Sequence, residues 1–245
     1  MPLSSMVDKM EVTDLTPFMT PTTAIESTHP DVIAFTAKHA SGAKDTIETS
    51  VRLFYVVRNS IRYDPYAFIL SVDGLKASYT LQAGRAWCVP KAILLAACCR
   101  SMGIPAKLGY ADVRNHLSTA RMRQNMRTDI FHWHGYTSIY LDGRWLKATP
   151  AFNIELCRKF NLLPLDFDGR SDALFHAFDA DGNRHMEYVN YRGEFADVPI
   201  DAMEATFREA FPELWITGKT SLGDGADFDK DVEAEISGTL SDMKS

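Results

Sequence analysis

Two residues in this 245-residue chain have the type and setting that covalent catalysis requires, Cys88 and His134. Cys88 lies in GRAWCVPKAILLAACCRSMGIPAKLGY, residues 84–110, where a loop changes into an apolar helix that we expect to stop at Gly103. The positive end of a helix dipole favours negative charge, so a thiol at the start of a helix is expected to ionise readily. Because a thiolate attacks carbonyl carbon, the sequence predicts a nucleophile at this position.

His134 lies in the segment HWHGYTSIYLDGRWLKATPAFN, residues 132–153, which predicts a hairpin around the turn Asp142-Gly143. An imidazole beside the thiol can take its proton and later deliver one to the leaving group. Side chains alternate along a strand, so we expect His132, His134 and Tyr136 to share one face, with the residues between them facing the core. The hairpin therefore supplies candidate bases for the nucleophile.

Together the two segments resemble the transglutaminase-like (papain-like thiol) superfamily, in its bacterial type. The first motif is Cys88, followed 15 residues later by Gly-Ile-Pro-Ala-Lys-Leu-Gly-Tyr at residues 103–110. The second is a His that precedes a Trp by 11 residues across a turn, as His134 precedes Trp145. The resemblance covers about residues 50–155. It implies an α+β fold in which helices pack on an antiparallel sheet, with the nucleophile at the N-terminus of a central helix and His134 as the base.

The third member of the implied triad is less clearly specified. The family places an acid four residues after the Trp, where this chain has Thr149, and a Glu four residues after the His, where it has Ser138. A hydroxyl at position 149 can accept from the imidazole but stabilises an imidazolium less than a carboxylate does. We place Thr149 first as the orienting residue and keep Asn153 and Asp112 as alternatives.

Gln82 lies six residues before Cys88, the offset at which papain-like thiol proteases carry an oxyanion-binding glutamine. The resemblance therefore implies that Gln82 and the Cys88 backbone N–H hold the oxyanion, and the alternative is a surface glutamine. His132 is the alternative base. Four residues are predicted to bind substrate: Trp87, Arg114, His132 and Tyr136. Trp87 could equally be a core residue, and Arg114 could equally form an ordinary salt bridge.

The composition excludes several classes of protein. Apolar residues make up 46% of the chain and the net charge is −6, so a nucleic-acid partner is not expected. No signal peptide or membrane-spanning run is evident, and Cys98-Cys99 are poorly placed for disulfides. We therefore expect a cytoplasmic protein with free thiols, no membrane partner, no cofactor and no metal.

One transglutaminase-like domain is expected over residues 1–215, with a core at about 44–155 and an added hairpin and helix over 160–215. The acidic segment 216–245 is predicted to be a flexible tail. The expected elements follow the periodicity of the sequence. They are helices over 30–39, 44–60, 81–102, 118–127, 153–160 and 201–211, and strands over 104–113, 131–141, 144–149, 174–178 and 185–191.

The predicted function is cysteine-dependent hydrolysis of an acyl bond, most plausibly an amide, in a small-molecule or peptide substrate. Acyl transfer to an amine and cleavage of an activated carbon–carbon bond are alternatives at the same site. Two further hypotheses remain, a non-catalytic binding module of this fold and a metalloenzyme built on His116, His132 and His134. The sequence predicts neither the identity of the substrate nor the oligomeric state.

Overall fold

The computed structural model describes residues 14–115, 118–174, 180–182, 185–212 and 225–242. The helices are α1 (Pro30–Ala40), α2 (Thr46–Ser60), α3 (Val72–Leu75), α4 (Ala77–Ala83), α5 (Cys88–Ser101), α6 (Ala120–Met126), α7 (Ile154–Lys159), α8 (Ile200–Ala210) and α9 (Phe228–Asp242). The strands are β1 (Arg62–Tyr63), β2 (Arg85–Ala86), β3 (Ala106–Asn115), β4 (Ile130–Leu141), β5 (Arg144–Ala148) and β6 (Met186–Phe195). The predicted α+β class is confirmed.

The principal sheet has four antiparallel strands in the order β5-β4-β3-β6. β4 and β5 form the predicted hairpin, and both turn residues, Asp142 and Gly143, have positive φ. β1 and β2 form a separate short parallel pair that precedes α5. The sheet thus places β4, with its histidines, between two neighbouring strands.

Helix α5 is buried along its whole length except at its last residue, and it packs against β4. Its contact with the strand is very close at Gly135, where a Cβ atom would lie 3.1 Å from the Cα atom of Val89. One turn further on, the Thr137 hydroxyl donates to the Ala92 carbonyl oxygen at 2.8 Å. These contacts fix the N-terminus of α5, where Cys88 lies, beside the residue that follows His134.

Several elements differ from the sequence-based expectation. The predicted nucleophile helix is divided by β2, so α4 ends at Gly84 with a left-handed cap and α5 begins at Cys88. Strand β3 continues to Asn115, so Arg114 lies in a strand rather than in a loop. Strand β6 is longer than predicted and pairs with β3. Its expected hairpin partner falls largely on residues 175–179, which lie outside the described residues.

The C-terminal segment is not the flexible tail that its composition predicted, because part of it forms the docked helix α9. The Phe228 ring contacts the rings of Tyr63 and Tyr66 at centroid distances of 6.1 and 5.3 Å, and Val232 is fully buried. A tail rich in acid therefore docks through two apolar residues, which a composition average does not reveal.

Acidic residues of α9 hold α6 in place. Asp231 accepts hydrogen bonds from the Tyr66 hydroxyl at 2.7 Å and from Arg121 Nε at 2.8 Å. Glu235 pairs with Arg123 at 3.1 Å. Since α6 has only two turns, a helix of its length is unstable by itself, and these contacts are a main source of its stability.

We predict that Asp231→Ala loosens α6. The change removes two hydrogen bonds, each worth about 1 kcal/mol, and about 1 kcal/mol corresponds to a roughly fivefold rise in local opening. Limited trypsin digestion followed by mass spectrometry should show faster cleavage after Arg123. Lys230→Ala, an exposed change on the same helix, is the control. Equal cleavage rates in the two variants would contradict the bracing of α6 by α9.

Candidate active site

Cys88 is the first residue of α5, with Trp87 as the N-cap residue, and its side chain is almost fully buried. The backbone N–H groups of Gly135, Val89 and Cys88 itself hydrogen-bond to the thiol sulfur, and each lowers its pKa. Burial has the larger effect and raises the pKa of the Cys88 thiol to about 11. The expectation of a readily ionised thiol is therefore wrong for the resting protein, because loss of hydration outweighs the helix terminus.

His134 lies on β4 and is also buried. Burial, with a smaller contribution from the charge of His185, lowers the pKa of its imidazole to about 3. At neutral pH the imidazole is therefore unprotonated, which is the form that accepts a proton. The two groups form a neutral thiol and a neutral base rather than an ion pair at rest.

Cys88 and His134 line the same cavity, which has a volume of about 50 Å³. The structure thus brings together the two residues that the sequence selected as nucleophile and base. The predicted wall residue Trp87 and the alternative base His132 line this cavity as well. The remaining lining residues come from distant parts of the chain: Tyr63, Pro65, Phe68, Val113, Asn115, Met122, Met126, Phe131, Phe152, Met186, Phe207 and Phe211.

A bulge in β4 separates the environments of the two histidines. Ala111 pairs with His134 and Val113 with Phe131, so two residues of β4 lie opposite the single residue Asp112. One of them, Trp133, has φ 57°, a left-handed conformation that side chains seldom adopt. The predicted strict alternation is therefore wrong at this point, because the extra residue reverses which side chains share a face.

Asp112 lies beside His132. One carboxylate oxygen lies 3.4 Å from His132 Nδ1, and the same oxygen accepts the Trp133 backbone N–H at 3.1 Å. Arg192 donates to both oxygens at 2.8–3.0 Å. Burial raises the pKa of Asp112, but the Arg192 and Trp133 hydrogen bonds outweigh it and leave the pKa below its usual value. Asp112 is thus an ionised partner of His132, and the structure does not show it contacting His134.

The other two candidates for the orienting residue differ clearly. Asn153 accepts from the Tyr63 backbone N–H at 3.0 Å and donates to Glu155 at 2.9 Å, so its amide already joins β1 to α7. Thr149 follows β5 directly, and its hydroxyl is buried without a hydrogen-bond partner in the described part of the chain. Continuing the β4–β5 register by one residue places Thr149 opposite Tyr136, on the face that His134 shares. Thr149 remains our first choice.

Three predicted site residues lie elsewhere. Gln82 is exposed on α4 and does not line the cavity, because Gly84 and β2 turn the chain between it and Cys88. Arg114 pairs with Asp129 at 2.9 Å and with Glu187, which is the ordinary salt-bridge alternative. Tyr136 packs over Gly109, away from the cavity lining, and donates to Glu194 at 3.1 Å.

Sequence reasoning missed the partner residues that complete the site. Arg192 holds Asp112, and Phe207 and Phe211 reach the cavity from the C-terminal end of α8. No local motif marks these residues, since each lies 60 or more positions from His132 in the sequence. Only the amphipathic pattern of α8 hinted that its aromatic face would be covered.

The described residues contain no group of three or more His, Cys, Asp or Glu side chains that could hold a metal ion. His116, which the metalloenzyme hypothesis requires, lies outside the described residues. None of the helices in the described ranges combines the length and apolar character that crossing a membrane would need.

Comparison with known proteins identifies the fold family. Residues 33–150 match the profile of the Transglutaminase-like superfamily, which confirms the predicted resemblance. No curated protein matches the chain.

Two solved structures are similar. A candidate cysteine protease from Cytophaga hutchinsonii shows 15% identity over 75% of this chain and 54% of its own, with a TM-score of 0.45. A candidate protease from Parabacteroides distasonis shows 15% identity over 55% of this chain and 25% of its own, with a TM-score of 0.36. This chain therefore spans about half and a quarter of those two proteins.

We predict that alkylation of Cys88 by iodoacetamide accelerates about tenfold per pH unit from about pH 7 to 10. A thiol with a pKa of about 11 gains thiolate in that proportion, whereas His134 stays neutral throughout and adds no inflection. Peptide mass mapping after limiting treatment measures the rate, and Cys88→Ser identifies the labelled site. A rate that is already constant from about pH 5 would instead reveal a resting thiolate–imidazolium pair.

We also predict that Thr149→Val lowers kcat/KM for an acyl p-nitroanilide about threefold to tenfold without lowering the melting temperature. The change removes a buried hydroxyl and preserves shape, so only the orientation of the imidazole should suffer. Thr149→Ser, which retains the hydroxyl, is the matched control and should keep the wild-type rate. If the Val and Ser variants react alike, Thr149 does not orient His134.

Proposed function

Because residues 33–150 match the Transglutaminase-like superfamily profile, we propose that this chain is a cysteine-dependent hydrolase of amide bonds, with Cys88 as nucleophile and His134 as base. The observation that carries the proposal is that both residues line one cavity at the N-terminus of the buried helix α5. A non-catalytic module would not require a thiol surrounded by three backbone N–H groups beside an unprotonated imidazole.

The first half of the reaction forms a thioester. The Cys88 sulfur attacks the amide carbon while its proton passes to the His134 imidazole, so a neutral pair becomes ionic only as the S–C bond forms. The backbone N–H groups of Cys88 and Gly135 lie beside the sulfur and are proposed as the oxyanion donors in place of Gln82. The imidazolium then protonates the leaving nitrogen, and the C–N bond breaks.

The second half restores the enzyme. His134 takes a proton from water, whose oxygen attacks the thioester carbon, and the C–S bond breaks to release a carboxylic acid and the protonated thiol. If an amine enters instead of water, the same steps give acyl transfer. Hydrolysis is proposed because the cavity is small, about 50 Å³, which favours water over a second bulky substrate.

The state of the cysteines supports a reducing compartment. Cys88, Cys98, Cys99 and Cys157 are all free thiols. A free nucleophilic thiol persists where glutathione and thioredoxin keep cysteines reduced. We therefore propose a cytoplasmic location.

Three variants test the assignment of the reacting groups. Cys88→Ser and His134→Gln should each lower kcat/KM by about a thousandfold or more, the usual cost of removing one member of a catalytic unit. His132→Gln, the matched control on the same strand, should cost less than about tenfold. The readout is turnover of a panel of acyl p-nitroanilides, with melting temperature as the check on folding.

The outcomes separate the alternatives. Loss of activity in the His132 variant alone would transfer the base to the His132–Asp112 pair. Product containing an added amine, detected by mass spectrometry when primary amines are supplied, would show transfer in place of hydrolysis. Equal behaviour of all variants and the wild type would support the binding module.

A further inference from the structure

The cavity around Cys88 is almost entirely apolar. Six of its lining residues are Phe or Trp, contributed by five separate segments of the chain, and three more are methionines. Among the described residues that line it, none is Asp, Glu, Lys or Arg. The polar side chains that remain are Tyr63, Asn115, His132 and the reacting pair, Cys88 and His134.

The charged groups nearest to the cavity are already paired. Asp112 is held by Arg192 in a double contact at 2.8–3.0 Å, and Arg114 pairs with Asp129 at 2.9 Å. A charged substituent entering the cavity would lose its hydration without meeting an opposite charge. Such desolvation is costly, so the cavity selects against ionised groups.

The aromatic walls favour a flat ring. Trp87 contacts Phe68 at a centroid distance of 4.9 Å and Phe207 edge-on at 6.4 Å, and Phe207 stacks on Phe211 at 5.8 Å. Rings arranged in this way present both faces and edges, which are the two surfaces that bind another aromatic ring. On the side of the cavity formed by α6, Met122 supplies a flexible side chain that can adjust to the occupant.

The size of the cavity favours a small occupant. A volume of about 50 Å³ holds roughly four water molecules, since one water requires about 10–15 Å³ on this measure. A single ring or a short branched chain is closer to this scale than a long extended chain is.

We infer that the acyl group delivered to Cys88 is uncharged and apolar, a single aromatic ring or a branched chain of comparable size. This inference rests on the proposed function, because it assigns the acyl side of the bond that Cys88 attacks. The selectivity has two separate causes. The apolar lining offers no opposite charge to an ionised group, and the aromatic walls favour contact with a ring.

Three iodoacetyl reagents test this selectivity directly on Cys88: anionic iodoacetate, neutral iodoacetamide and neutral N-benzyl iodoacetamide. Each rate is divided by the rate of the same reagent with free cysteine, and mass mapping reports Cys88 alone. Relative to iodoacetamide, iodoacetate should react at least tenfold more slowly, which corresponds to about 1.4 kcal/mol, and the benzyl reagent at least threefold faster. A corrected iodoacetate rate equal to that of iodoacetamide would overturn the inference.

Phe211→Leu tests the role of the aromatic wall. This variant should lose the preference for the benzyl reagent while still discriminating against iodoacetate. Phe18→Leu removes an aromatic contact with Trp145 far from the cavity and should retain both preferences. Should Phe211→Leu fail to fold, the three reagent rates on the wild-type protein still decide the question.

His134→Gln separates this inference from the proposed function. If the variant loses turnover of the acyl p-nitroanilides while the order among the three reagents persists, both proposals hold. If the order persists but His134→Gln turns the substrates over like the wild type, the hydrolase proposal fails, and with it the assignment of the apolar group to an acyl substrate. If turnover is lost but the three reagents react alike, only the substrate class fails.

Discussion

The site depends on one steric constraint, the close approach of helix α5 to strand β4 at Gly135. A Cβ atom there would lie 3.1 Å from the Cα atom of Val89, and backbone cannot withdraw as a flexible side chain can. The contact brings the Gly135 N–H to the Cys88 sulfur and places the thiol beside the strand that carries His134. Position 135 therefore requires glycine for steric reasons, whatever reaction the site performs.

Burying both reacting groups has a definite electrostatic effect. Desolvation raises the pKa of Cys88 and lowers that of His134, so the resting site holds no charge. In the proposed reaction, the cost of separating charge would be offset when the substrate is bound, by hydrogen bonds that form only as the oxyanion develops. Such a site protects its thiol from adventitious electrophiles, and the paired charges around Asp112 keep the surroundings of the cavity equally neutral.

The sequence predicted the parts of the site that short motifs encode. Cys88, His134 and the Asp142-Gly143 turn were identified because helix starts, strand spacing and turn chemistry are local properties. The bulge at Trp133 was not predictable, since its left-handed conformation depends on pairing with β3. Gln82 was wrongly expected at the site because the spacing taken from papain-like proteases assumes a different path of the chain. In this chain the left-handed turn at Gly84 separates Gln82 from Cys88. The aromatic wall at Phe211 needed the complete tertiary structure.

The bracing of α6 by α9 is sensitive to dissolved salt. The contacts of Arg121 with Asp231 and of Arg123 with Glu235 are partly exposed ion pairs. Mobile ions screen such pairs, and the screening length falls from about 10 Å at 0.1 M to about 3 Å at 1 M ionic strength. The apolar contacts of Phe228 and Val232 are not weakened in this way, so α9 stays docked while its hold on the methionine-bearing helix relaxes. Ionic strength thereby changes the polar part of the contact between the two helices and leaves its apolar part in place.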